Sequence, residues 1–567
     1  MNNKEISKIL TLHSKLLEFY GANTFKIRGY SNALESLKSM QKPLEELSQQ
    51  EIESIEGIGK SIAGSIIEII QTGTLSELSE NLEKTPETLI ELLFIRGLGP
   101  KKTRTIWDEL GADSLEEVLS AAKQNKLSKL KGFGEKTQEK IKKALEFKLD
   151  ARGKYKYAEV EGLANHLVEQ VEELLPASKV SLVGELRRKE IIIDKIELLV
   201  GVSDPFESFA KLASLEGLEL DHRNSGPFVL RGKLANVSLK VEIHISQKEH
   251  YYARLFELTG SELHIAQLEV EGRPIQKNLF KRTYQDEKEI YSLNGYSFVE
   301  PEMREGLFEI ELSKKDQLPE LVENEDLKGI LHNHSTYSDG NNTLEEMAEH
   351  CLDLGYEYLG MTDHSQSAFY ADGLDVNQIR KQHQEIDELN TRLSPFKIFK
   401  GIESDILSDG RLDYPEEVLS SFDFIVSSIH SGLDMDIKKA TNRLLAAIEN
   451  PYTTILGHMT GRLVLEREGY PVDHKVVIEA CAKNDVIIEI NASPWRLDID
   501  WKWVHYAMEK GVMLSINPDA HEKAGYDDMK YGVLAGRKGG LTKEMTLNAL
   551  SLKEIEKVFT KKNNTEN

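Results

Sequence analysis

Residues 327–567 alternate short apolar runs with amphipathic segments. Segments such as "LEEMAEHCLDLG" carry apolar residues at helical spacing, and the runs between them are rich in Val, Ile, Leu and aromatic residues. The seven runs are "KGILHNH", "YEYLGMTDH", "FKIFKGIES", "DFIVSSIHS", "TTILGHM", "DVIIEINAS" and "VMLSINPDAH". This alternation predicts a parallel sheet of strands and crossover helices, and seven units predict an α/β barrel.

The first 150 residues repeat a different pattern, an apolar residue and a Gly-apolar-Gly turn followed by a helical run. It occurs in "IEGIGKSIAGSI" (55–66), "IRGLGPKKTRTI" (95–106) and "LKGFGEKTQEKI" (130–141). Each copy predicts two helices joined by a tight turn whose exposed N–H groups lie beside a helix N-terminus and suit a phosphate oxygen. One copy alone is typical of an ordinary interhelical turn, but three copies favour binding to a DNA backbone. The candidate DNA-binding residues are Gly57, Gly59, Lys60, Gly97, Gly99, Lys101, Lys102, Gly132, Gly134 and Lys136.

Residues 151–315 mix helical and strand patterns. The segments "VSLVGELRR", "IELLVGV" and "NVSLKVEIHI" are predicted to be strands because of their Val, Ile and Leu content. Next comes a polar stretch, which is predicted to be a linker to the barrel region: "ELSKKDQLPELVENEDLKG" (311–329). The middle third is therefore predicted to be an α+β region.

Length, cysteine content and charge narrow the class of protein. A chain of 567 residues predicts three or more domains, and two cysteines exclude a disulfide framework and Cys-based zinc fingers. No apolar stretch is long enough for a membrane span and no signal core begins the chain, so we expect the cytoplasm and no membrane partner. The net charge of −24 argues against nucleic acid, but residues 1–150 hold 22 Lys plus Arg against 23 Asp plus Glu. Within them, residues 123–143 hold eight Lys and two Glu, which favours DNA binding there.

The candidate chemistry lies at the carboxyl ends of the predicted barrel strands. In a barrel these ends converge on one face, where active sites form. Chance placement explains the set poorly, and imidazole-rich ligation suits Zn²⁺, Mn²⁺ or Fe²⁺ better than Mg²⁺. His350, His383 and His474 lie in helical runs and are expected to be caps or surface residues. The candidate metal ligands are His332, His334, Asp339, His364, Glu403, His430, His458, Asp519 and His521.

The segments "HNHSTYSDG", "TDHS", "GIESD", "SIHS", "GHMTGRL" and "INPDAH" closely resemble the PHP (polymerase and histidinol phosphatase) family. The resemblance implies a phosphoesterase with up to three Mn²⁺ or Zn²⁺ ions. It places His332, His334, Glu403 and Asp519 on one ion; Glu403, His430 and His458 on a second; and Asp339, His364 and His521 on a third. Glu403 and Asp339 are its catalytic candidates, and Arg462 is expected to clamp a phosphate oxygen. Ile330 departs from the pattern, because an Asp often precedes the first His.

The glycine-turn units resemble helix-hairpin-helix motifs, and "NTFKIRGYSNAL" (23–34) resembles the amino-terminal domain of family X DNA polymerases. Some members of that family carry a Schiff-base lysine in the second helix of the first hairpin. The matching position here is Ser65, and serine cannot form a Schiff base. Lyase activity is therefore not expected.

The segment "VGELRRKEIIIDKIELLVGV" (183–202) resembles the palm of a family X polymerase, where three carboxylates hold two metal ions. The matching positions are Lys195, Glu197 and Glu242, and the lysine would repel a divalent cation. Glu185 stands where Ser is usual, and Ile265 stands where Asn is usual. The resemblance therefore implies a degenerate polymerase site with an incomplete Mg²⁺ site. Arg187 and Arg188 have two interpretations, phosphate binding or salt bridges.

Together these segments resemble the bacterial and archaeal family X DNA polymerases with a carboxyl-terminal PHP domain. The resemblance implies a monomeric DNA repair protein with a metal-dependent 3′→5′ exonuclease. It implies contacts with the DNA backbone that are independent of sequence, and a dNTP is a further candidate ligand. Three alternatives stay open: an active gap-filling polymerase with an unusual palm, a small-molecule phosphatase, and a non-enzymatic DNA-end scaffold. The expected domains are a helical DNA-binding domain (1–85), a helix-hairpin-helix fingers-like region (86–150), palm (151–245), thumb (246–315), linker (316–326) and PHP domain (327–567).

Overall fold

A computed structural model describes residues 1–38, 40, 42–270 and 272–563 of the chain. The last four positions of the predicted PHP domain, together with Ser39, Gln41 and Glu271, lie outside this description. The chain forms two compact units, Met1–Arg152 and Gly153–Asn567. The finer domain boundaries inside each unit stay predictions.

The first unit is built from α-helices in the part that the structure describes. Amphipathic helices bury residues such as Leu10, Ile66 and Leu89 in one core and Ile106, Val118 and Ile141 in another. The helices are α1 Asn3–Phe19, α2 Thr24–Lys38, α3 Gln49–Glu53, α4 Lys60–Thr72, α5 Ser76–Glu83, α6 Glu87–Leu92, α7 Pro100–Leu110, α8 Leu115–Lys123 and α9 Glu135–Ala151.

The second unit opens with a mixed five-stranded sheet in the order β2-β4-β7-β6-β5. β4 pairs with β7 in parallel, with Glu197 opposite Glu242, and the other pairs are antiparallel. Its strands are β2 Lys179–Leu182, β4 Lys195–Val202, β5 Leu218–Leu220, β6 Val229–Leu234 and β7 Lys240–Gln247, and a separate pair is β1 Tyr155–Lys156 with β3 Ile192–Ile193. The accompanying helices are α10 Tyr157–Leu174, α11 Gly184–Arg187 and α12 Pro205–Leu212.

The expected strand through "VSLVGELRR" is wrong beyond Leu182, because Gly184–Arg187 form the helix α11. Gly184 adopts φ +61°, a region that favours glycine. A Cβ at this position would also lie 2.1 Å from the Glu197 Oε2 atom. The chain therefore turns sharply at Gly184, directly against β4, and then winds into a helix.

A mainly helical segment follows the sheet. Its apolar side chains, including Phe256, Ile290 and Val299, form a separate core. The elements are α13 Tyr251–Thr259, α14 Glu262–Gln267, β8 Glu269–Val270, β9 Arg273–Pro274, α15 Gln276–Leu279, α16 Glu287–Ser292 and α17 Glu309–Lys314.

A seven-stranded parallel sheet completes the chain, with its strands in sequence order. A parallel bridge between Asn333 and Ala520 joins the segments after the first and last strands, so the sheet is a nearly closed barrel, as the sequence predicts. The strands are β10 Gly329–Ile330, β11 Tyr358–Met361, β12 Lys397–Asp405, β13 Phe424–Ser428, β14 Ile455–Leu456, β15 Ile487–Asn491 and β16 Leu514–Asn517.

Helices pack around this barrel and bury their apolar faces against its strands, as Met347, Leu444 and Val477 do in the largest core. None of the helices among the described residues combines the length and apolar character that crossing a membrane requires. The barrel helices are α18 Leu344–Asp353, α19 Val376–Leu393, α20 Glu416–Leu419, α21 Ile437–Ile448, α22 His474–Lys483, α23 Val504–Glu509, α24 Met529–Lys538 and α25 Leu552–Asn563.

Buried charges join the barrel to the mixed sheet and the helical segment within the second unit. The Lys538 side chain on α24 is fully buried, and its Nζ donates to the Arg188 carbonyl at 3.0 Å. The same Nζ pairs with Glu305 and lies 3.1 Å from Glu190 Oε1. Lys538 contacts residues of both the mixed-sheet region and the helical segment, so it holds the barrel against both of them.

Candidate metal centre and nucleic-acid interface

His332 and His334, immediately after β10, approach Asp519 from the loop after β16. The His334 Nε2 atom lies 3.0 Å from Asp519 Oδ1, and His332 Nε2 lies 3.6 Å from the same oxygen. Asp519 adopts φ +54°, a left-handed conformation that non-glycine residues seldom adopt and that is often found at functional sites. The three side chains offer ligand atoms within 4.8 Å of one another.

Glu403, buried on β12, is the centre of the cluster. Its Oε1 lies 3.3 Å from His332 Nε2, and its Oε2 lies 3.7 Å from His334 Nε2. Oε1 is also 3.2 Å from His430 Nε2 and 2.9 Å from His458 Nε2. One carboxylate is therefore placed to bridge two cation positions.

A third group forms around Asp339, in the loop after β10. Its Oδ1 lies 3.4 Å from His521 Nε2 and 3.7 Å from His364 Nε2. The structure adds two proximities that the resemblance did not give. His334 Nδ1 lies 4.0 Å from Asp339 Oδ1, and His364 Nδ1 lies 2.9 Å from Glu403 Oε2. His334 and His364 therefore each lie between two groups.

Several buried polar atoms of the cluster have no hydrogen-bond partner among the described residues. They are His332 Nε2, His334 Nδ1, His364 Nδ1 and Glu403 Oε2; the last two lie 2.9 Å apart, but not with the geometry of a hydrogen bond. Leaving such an atom unsatisfied costs about 1–3 kcal/mol. Divalent cations bound by these atoms would remove that cost, and the mixed nitrogen and oxygen donors suit Mn²⁺, Zn²⁺ or Fe²⁺. The residues present thus fit a centre with more than one metal ion.

Neighbouring acceptors orient the histidines. His332 Nδ1 lies 2.6 Å from Glu489 Oε1, and His430 Nδ1 lies 2.5 Å from Asp405 Oδ1. In both rings the contact leaves Nε2 facing Glu403, the arrangement found in metal sites with an orienting carboxylate. The sequence pattern singled out neither acid. Glu489 interrupts the apolar run "VIIEI", and that interruption is the signal that marks it.

Burial and charge set the protonation of the cluster. Burial, with the nearby His521 and His364, lowers the pKa of His334 to about 3. At neutral pH this ring is therefore uncharged, which is the form that binds metal. Burial alone would raise the pKa of the Glu403 carboxyl, but His430 and the other imidazoles hold it well below its usual range. Glu403 is therefore an anion at the centre of the cluster.

A cavity of about 300 Å³ opens onto the cluster. Its walls include Asp339, His364, His430, Asp519 and His521, with aliphatic side chains and two arginines. Arg496 is one of these arginines, and its Nε lies 3.2 Å from Asp519 Oδ2. The cavity is close to the lower end of the size range for small-molecule sites and carries cationic side chains that suit an anion.

Arg462, which is expected to clamp a phosphate oxygen, has its guanidinium group engaged within the fold. Its Nη1 pairs with Asp500 Oδ2 at 2.5 Å, its Nε donates to the Arg496 carbonyl at 2.8 Å, and Nη2 donates to the Leu497 carbonyl. These bonds commit the guanidinium to holding the 496–500 loop. Arg496, in that loop, lines the cavity together with Arg467; the PHP-like segments gave no signal for either arginine.

The altered palm positions meet on one face of the mixed sheet. Lys195 Nζ lies 2.9 Å from Glu197 Oε1 and 2.8 Å from Glu242 Oε2, and Arg231 Nε lies 2.7 Å from Glu242 Oε1. Burial would raise the pKa of both carboxyls. Polar contacts with His244 and Lys195 hold the pKa of Glu197 below its usual value, and those with Lys195 and Arg231 do the same for Glu242. An ammonium group therefore occupies the space between the two carboxylates.

Other polymerase-like positions are also engaged within the fold. Glu185 Oε2 accepts from the Asp194 amide at 3.2 Å, and Arg187 pairs with Glu287. Arg188 Nε lies 2.9 Å from Glu305 Oε1. Arg187 and Arg188 were interpreted either as phosphate-binding residues or as members of salt bridges, and the structure shows both in salt bridges.

The three glycine turns share one geometry. The first glycines, Gly57, Gly97 and Gly132, adopt φ of +82°, +88° and +86°, the region that favours glycine. The second glycines, Gly59, Gly99 and Gly134, precede α4, α7 and α9 as N-caps with negative φ, and a Cβ there would meet no atom within 4 Å. Neither backbone strain nor internal packing requires glycine at the second position. Close approach of a ligand to the helix N-terminus would require it.

The lysines beside these turns differ in their surroundings. Lys60, Lys101 and Lys136 are exposed. Lys102 is half-buried, and its Nζ donates to the Gly97 carbonyl at 3.1 Å. Three of the four candidate lysines therefore face solvent next to a helix N-terminus, and the fourth binds its own turn.

The barrel with its histidine–carboxylate cluster, the glycine-turn helices and the mixed sheet define a multidomain enzyme of the PHP phosphoesterase class that binds DNA. Comparison with known families agrees: residues 1–75 match a helix-hairpin-helix domain, residues 89–146 a SAM-like helix-hairpin-helix tandem, and residues 331–493 a PHP domain.

Relatives extend this result to the whole chain. The chain is 34% identical to the DNA polymerase/3′-5′ exonuclease PolX of Bacillus subtilis (strain 168), over 99% of this chain and 100% of the relative. A probable phosphatase of Thermoanaerobacter sp. (strain X514) is 27% identical over 39% of this chain and 91% of its own length. A probable phosphatase of Clostridium acetobutylicum is 28% identical over 34% of this chain and 78% of its own length. The chain belongs to the PolX family of family X DNA polymerases.

Proposed function

We propose that this protein is a DNA repair enzyme that removes nucleotides from DNA 3′ ends through its metal-dependent PHP domain, with Mn²⁺ or Zn²⁺ as the bound metal. One observation carries the proposal. Nine candidate ligands converge at the carboxyl ends of barrel strands, and several of their buried polar atoms have no partner in the described residues. The name of the Bacillus subtilis relative, a polymerase/3′-5′ exonuclease, supports the direction of degradation.

The chain's own residues give the reaction its geometry. Metal ions bound by the nine ligands would supply activated water and charge stabilisation at phosphorus. Arg496, on the cavity wall, is placed to bind a non-bridging phosphate oxygen. Asp339, whose side chain is 33% exposed, is the most open carboxylate of the cluster and can accept a hydrogen bond from water entering the cavity. Hydrolysis then breaks the bond between phosphorus and the 3′ oxygen and releases a nucleoside 5′-monophosphate.

The first unit is proposed to hold the DNA. Its three turns offer N–H groups at helix N-termini, and Lys60, Lys101 and Lys136 add attraction for the phosphates. None of these groups reads a base, so binding is expected to be independent of sequence.

The mixed sheet is proposed to be a palm that has lost polymerase chemistry. Lys195 neutralises both carboxylates that would hold Mg²⁺, and Arg187 and Arg188 pair with glutamates rather than facing an open site. A dNTP therefore has no prepared site in this palm. A monomeric, cytoplasmic protein stays the expectation.

The test is incubation of end-labelled primer–template with the full chain and Mn²⁺, with and without dNTPs. We expect shortening from the 3′ end and no extension. Glu403→Gln should slow shortening by at least about 100-fold, the upper end of the loss caused by changing a residue that merely orients a ligand.

Three measurements complete this test. Thermal unfolding of Glu403→Gln checks that the fold persists, and metal analysis of the purified protein separates an enzyme from a scaffold. Extension by Glu403→Gln with dNTPs would show an active palm. Shortening at the wild-type rate would refute the assignment of the metal centre.

A further inference from the structure

The loop after β11 presents two large aromatic side chains to solvent beside the PHP cavity. Phe369 is 86% exposed and Tyr370 is 61% exposed. The small residues on either side are buried, with Ala368 at 0% and Ala371 at 1%. Phe is among the residue types most often fully buried, so an exposed Phe369 next to an exposed Tyr370 is unusual.

The loop's backbone holds the two rings in this outward position. Ser365 and Leu374 form a parallel bridge across its base, and the Ala371 amide donates to the Ala368 carbonyl at 2.9 Å. A Cβ on Gly373 would lie 1.9 Å from the Ser365 carbonyl oxygen, so the two sides of the loop are in close contact. The exposure of Phe369 and Tyr370 is thus fixed by a tight loop closed at both ends.

The Tyr370 ring lies next to the candidate metal centre, and Phe369 precedes it in the chain. The Tyr370 ring centroid is 6.2 Å from that of His364 and 6.5 Å from that of His430, and Tyr370 lines the same cavity. Arg467 and Arg496 also line this cavity and suit an anionic backbone. Exposed aromatic side chains and a cavity lined by cationic groups therefore occur in one region, which is the combination that binds single-stranded nucleic acid.

We propose that Phe369 and Tyr370 form a stacking platform for the bases of an unpaired 3′ end whose terminal phosphodiester lies at the PHP centre. This inference rests on the proposed exonuclease function and deepens it. In a duplex the terminal bases are paired and stacked on their neighbours, so they must leave the helix to reach the platform. A mismatched or frayed end has already left it. The platform therefore makes the nuclease selective for unpaired 3′ ends over paired ones.

The kinetic test uses the full chain, Mn²⁺ and three end-labelled substrates. They carry a paired 3′ end, a 3′ end with three mismatched nucleotides, and the same mismatched end with tetrahydrofuran in place of the three bases. The variants are Phe369→Ala, Tyr370→Ala and Tyr370→Phe. Phe206→Ala is the matched control, because Phe206 is also exposed (65%) but does not line the cavity.

We expect the wild type to cleave the mismatched end faster than the paired end. Phe369→Ala and Tyr370→Ala should each lower kcat/KM on the mismatched end by about tenfold, within the range for losing one base–aromatic stack. Their losses on the base-free end should be clearly smaller than on the mismatched end, because that substrate has no base to stack. Tyr370→Phe keeps the ring and should keep the selectivity, and so should Phe206→Ala. An equal loss on based and base-free ends, or no loss on either, would overturn the platform.

A binding measurement decides the inference independently of catalysis. In Glu403→Gln, 2-aminopurine at an unpaired 3′ terminus should show a fluorescence change on binding that is lost in Glu403→Gln with Phe369→Ala. The same change in both proteins would overturn the platform. Absence of DNA degradation by the wild type would refute the proposed nuclease, while the fluorescence result would still decide whether the two rings stack on a base.

Discussion

At the scale of single residues, Glu489 determines how His332 presents its nitrogen to the metal centre. Its carboxylate is fully buried; it contacts His332 Nδ1 at 2.6 Å and accepts from the His458 amide at 2.8 Å. One acid on β15 thus orients a ring that follows β10. Such an orienting contact fixes which ring nitrogen faces the metal and raises its basicity.

Glu489→Gln should therefore lower metal affinity by about 10- to 100-fold and leave the fold intact, because glutamine keeps the volume and one acceptor oxygen. Mn²⁺ titration of the metal-free protein measures the affinity. Glu479→Gln, at a 51% exposed carboxyl on α22, is the matched control and should bind Mn²⁺ like the wild type. Equal affinities for both variants would show that Glu489 does not tune the centre.

Lys195 is the second residue whose environment predicts a measurable effect. Lys195→Met should destabilise the fold by about 1–3 kcal/mol at pH 7, less than a fully buried pair because Lys195 is 30% exposed. The folded pKa values of Glu197 and Glu242 lie below the usual value, so this stabilisation is complete above about pH 4.3. It is lost as the pH falls through the folded values.

Urea unfolding of wild type and Lys195→Met should thus differ at pH 7 and converge once the pH falls below the folded pKa values of Glu197 and Glu242. Mg²⁺ should recover stability in the variant, since Glu197, Glu242 and His244 offer converging ligand atoms. Lys211→Met removes an exposed lysine of α12 and serves as the control. A variant as stable as the wild type at pH 7 would mean that the ammonium contributes nothing.

Sequence reasoning found the nine clustered side chains because polar residues at the ends of apolar strands are conspicuous. It missed Arg496 and chose Arg462, although both are arginines near the same strand ends. The difference lies in the path of the 496–500 loop, which brings Arg496 to the cavity and ties Arg462 to Asp500. Spacing along the chain carries no information about such a path.

At the scale of elements, the glycine turns separate two roles that the sequence pattern shows as one. The first glycine of each pair permits the positive φ that the turn requires. The second glycine, without a side chain, leaves open space in front of the helix N-terminus. The pattern predicted the helices and turns well, since both glycines and the apolar spacing are local features. The prediction of a strand failed at "GELRR", because the chain turns there in close contact with Glu197 on β4, which is distant in sequence.

Gly99→Asp should keep or slightly raise the stability of the first unit, because aspartate is a good N-cap. It should weaken duplex DNA binding by roughly tenfold, about 1.4 kcal/mol, through repulsion of a phosphate at the N-terminus of α7. Fluorescence anisotropy and thermal unfolding measure the two effects.

Two variants serve as controls for Gly99→Asp. Gly99→Asn has a similar shape without the charge and should lose less affinity. Gly97→Ala, at φ +88°, should instead destabilise the fold by about 1 kcal/mol or more. Unchanged DNA affinity in Gly99→Asp would exclude the helix N-terminus as a contact.

At the scale of the whole molecule, charge is divided between the two units. Residues 1–152 hold 23 Lys plus Arg and 23 Asp plus Glu, so residues 153–567 carry the whole net charge of −24. Composition predicted this division, because it needs only a count along the chain. The grouping of the mixed sheet, the helical segment and the barrel into one compact unit could not be predicted, since it depends on contacts such as those of Lys538 with Arg188 and Glu305.

The fragment 1–152, which has its own cores, should bind duplex DNA without sequence preference. About three phosphate contacts predict a roughly 40-fold loss of affinity between 50 and 200 mM salt. The fragment 153–567 should bind at least about tenfold more weakly in low salt because of its acidity. Filter binding over a salt series measures both, and equal binding by the fragments would contradict the division of labour.

The engagement of Arg187 and Arg188 also constrains the evolutionary future of the chain. Restoring DNA synthesis would require new carboxylates at the palm, and it would also require these guanidinium groups to leave Glu287 and Glu305. Releasing Arg188 also disturbs the buried ammonium of Lys538. Each early step back towards a polymerase therefore loses stability before any synthesis returns. If the palm is degenerate as proposed, selection acting on one substitution at a time would meet an epistatic barrier to regaining DNA synthesis.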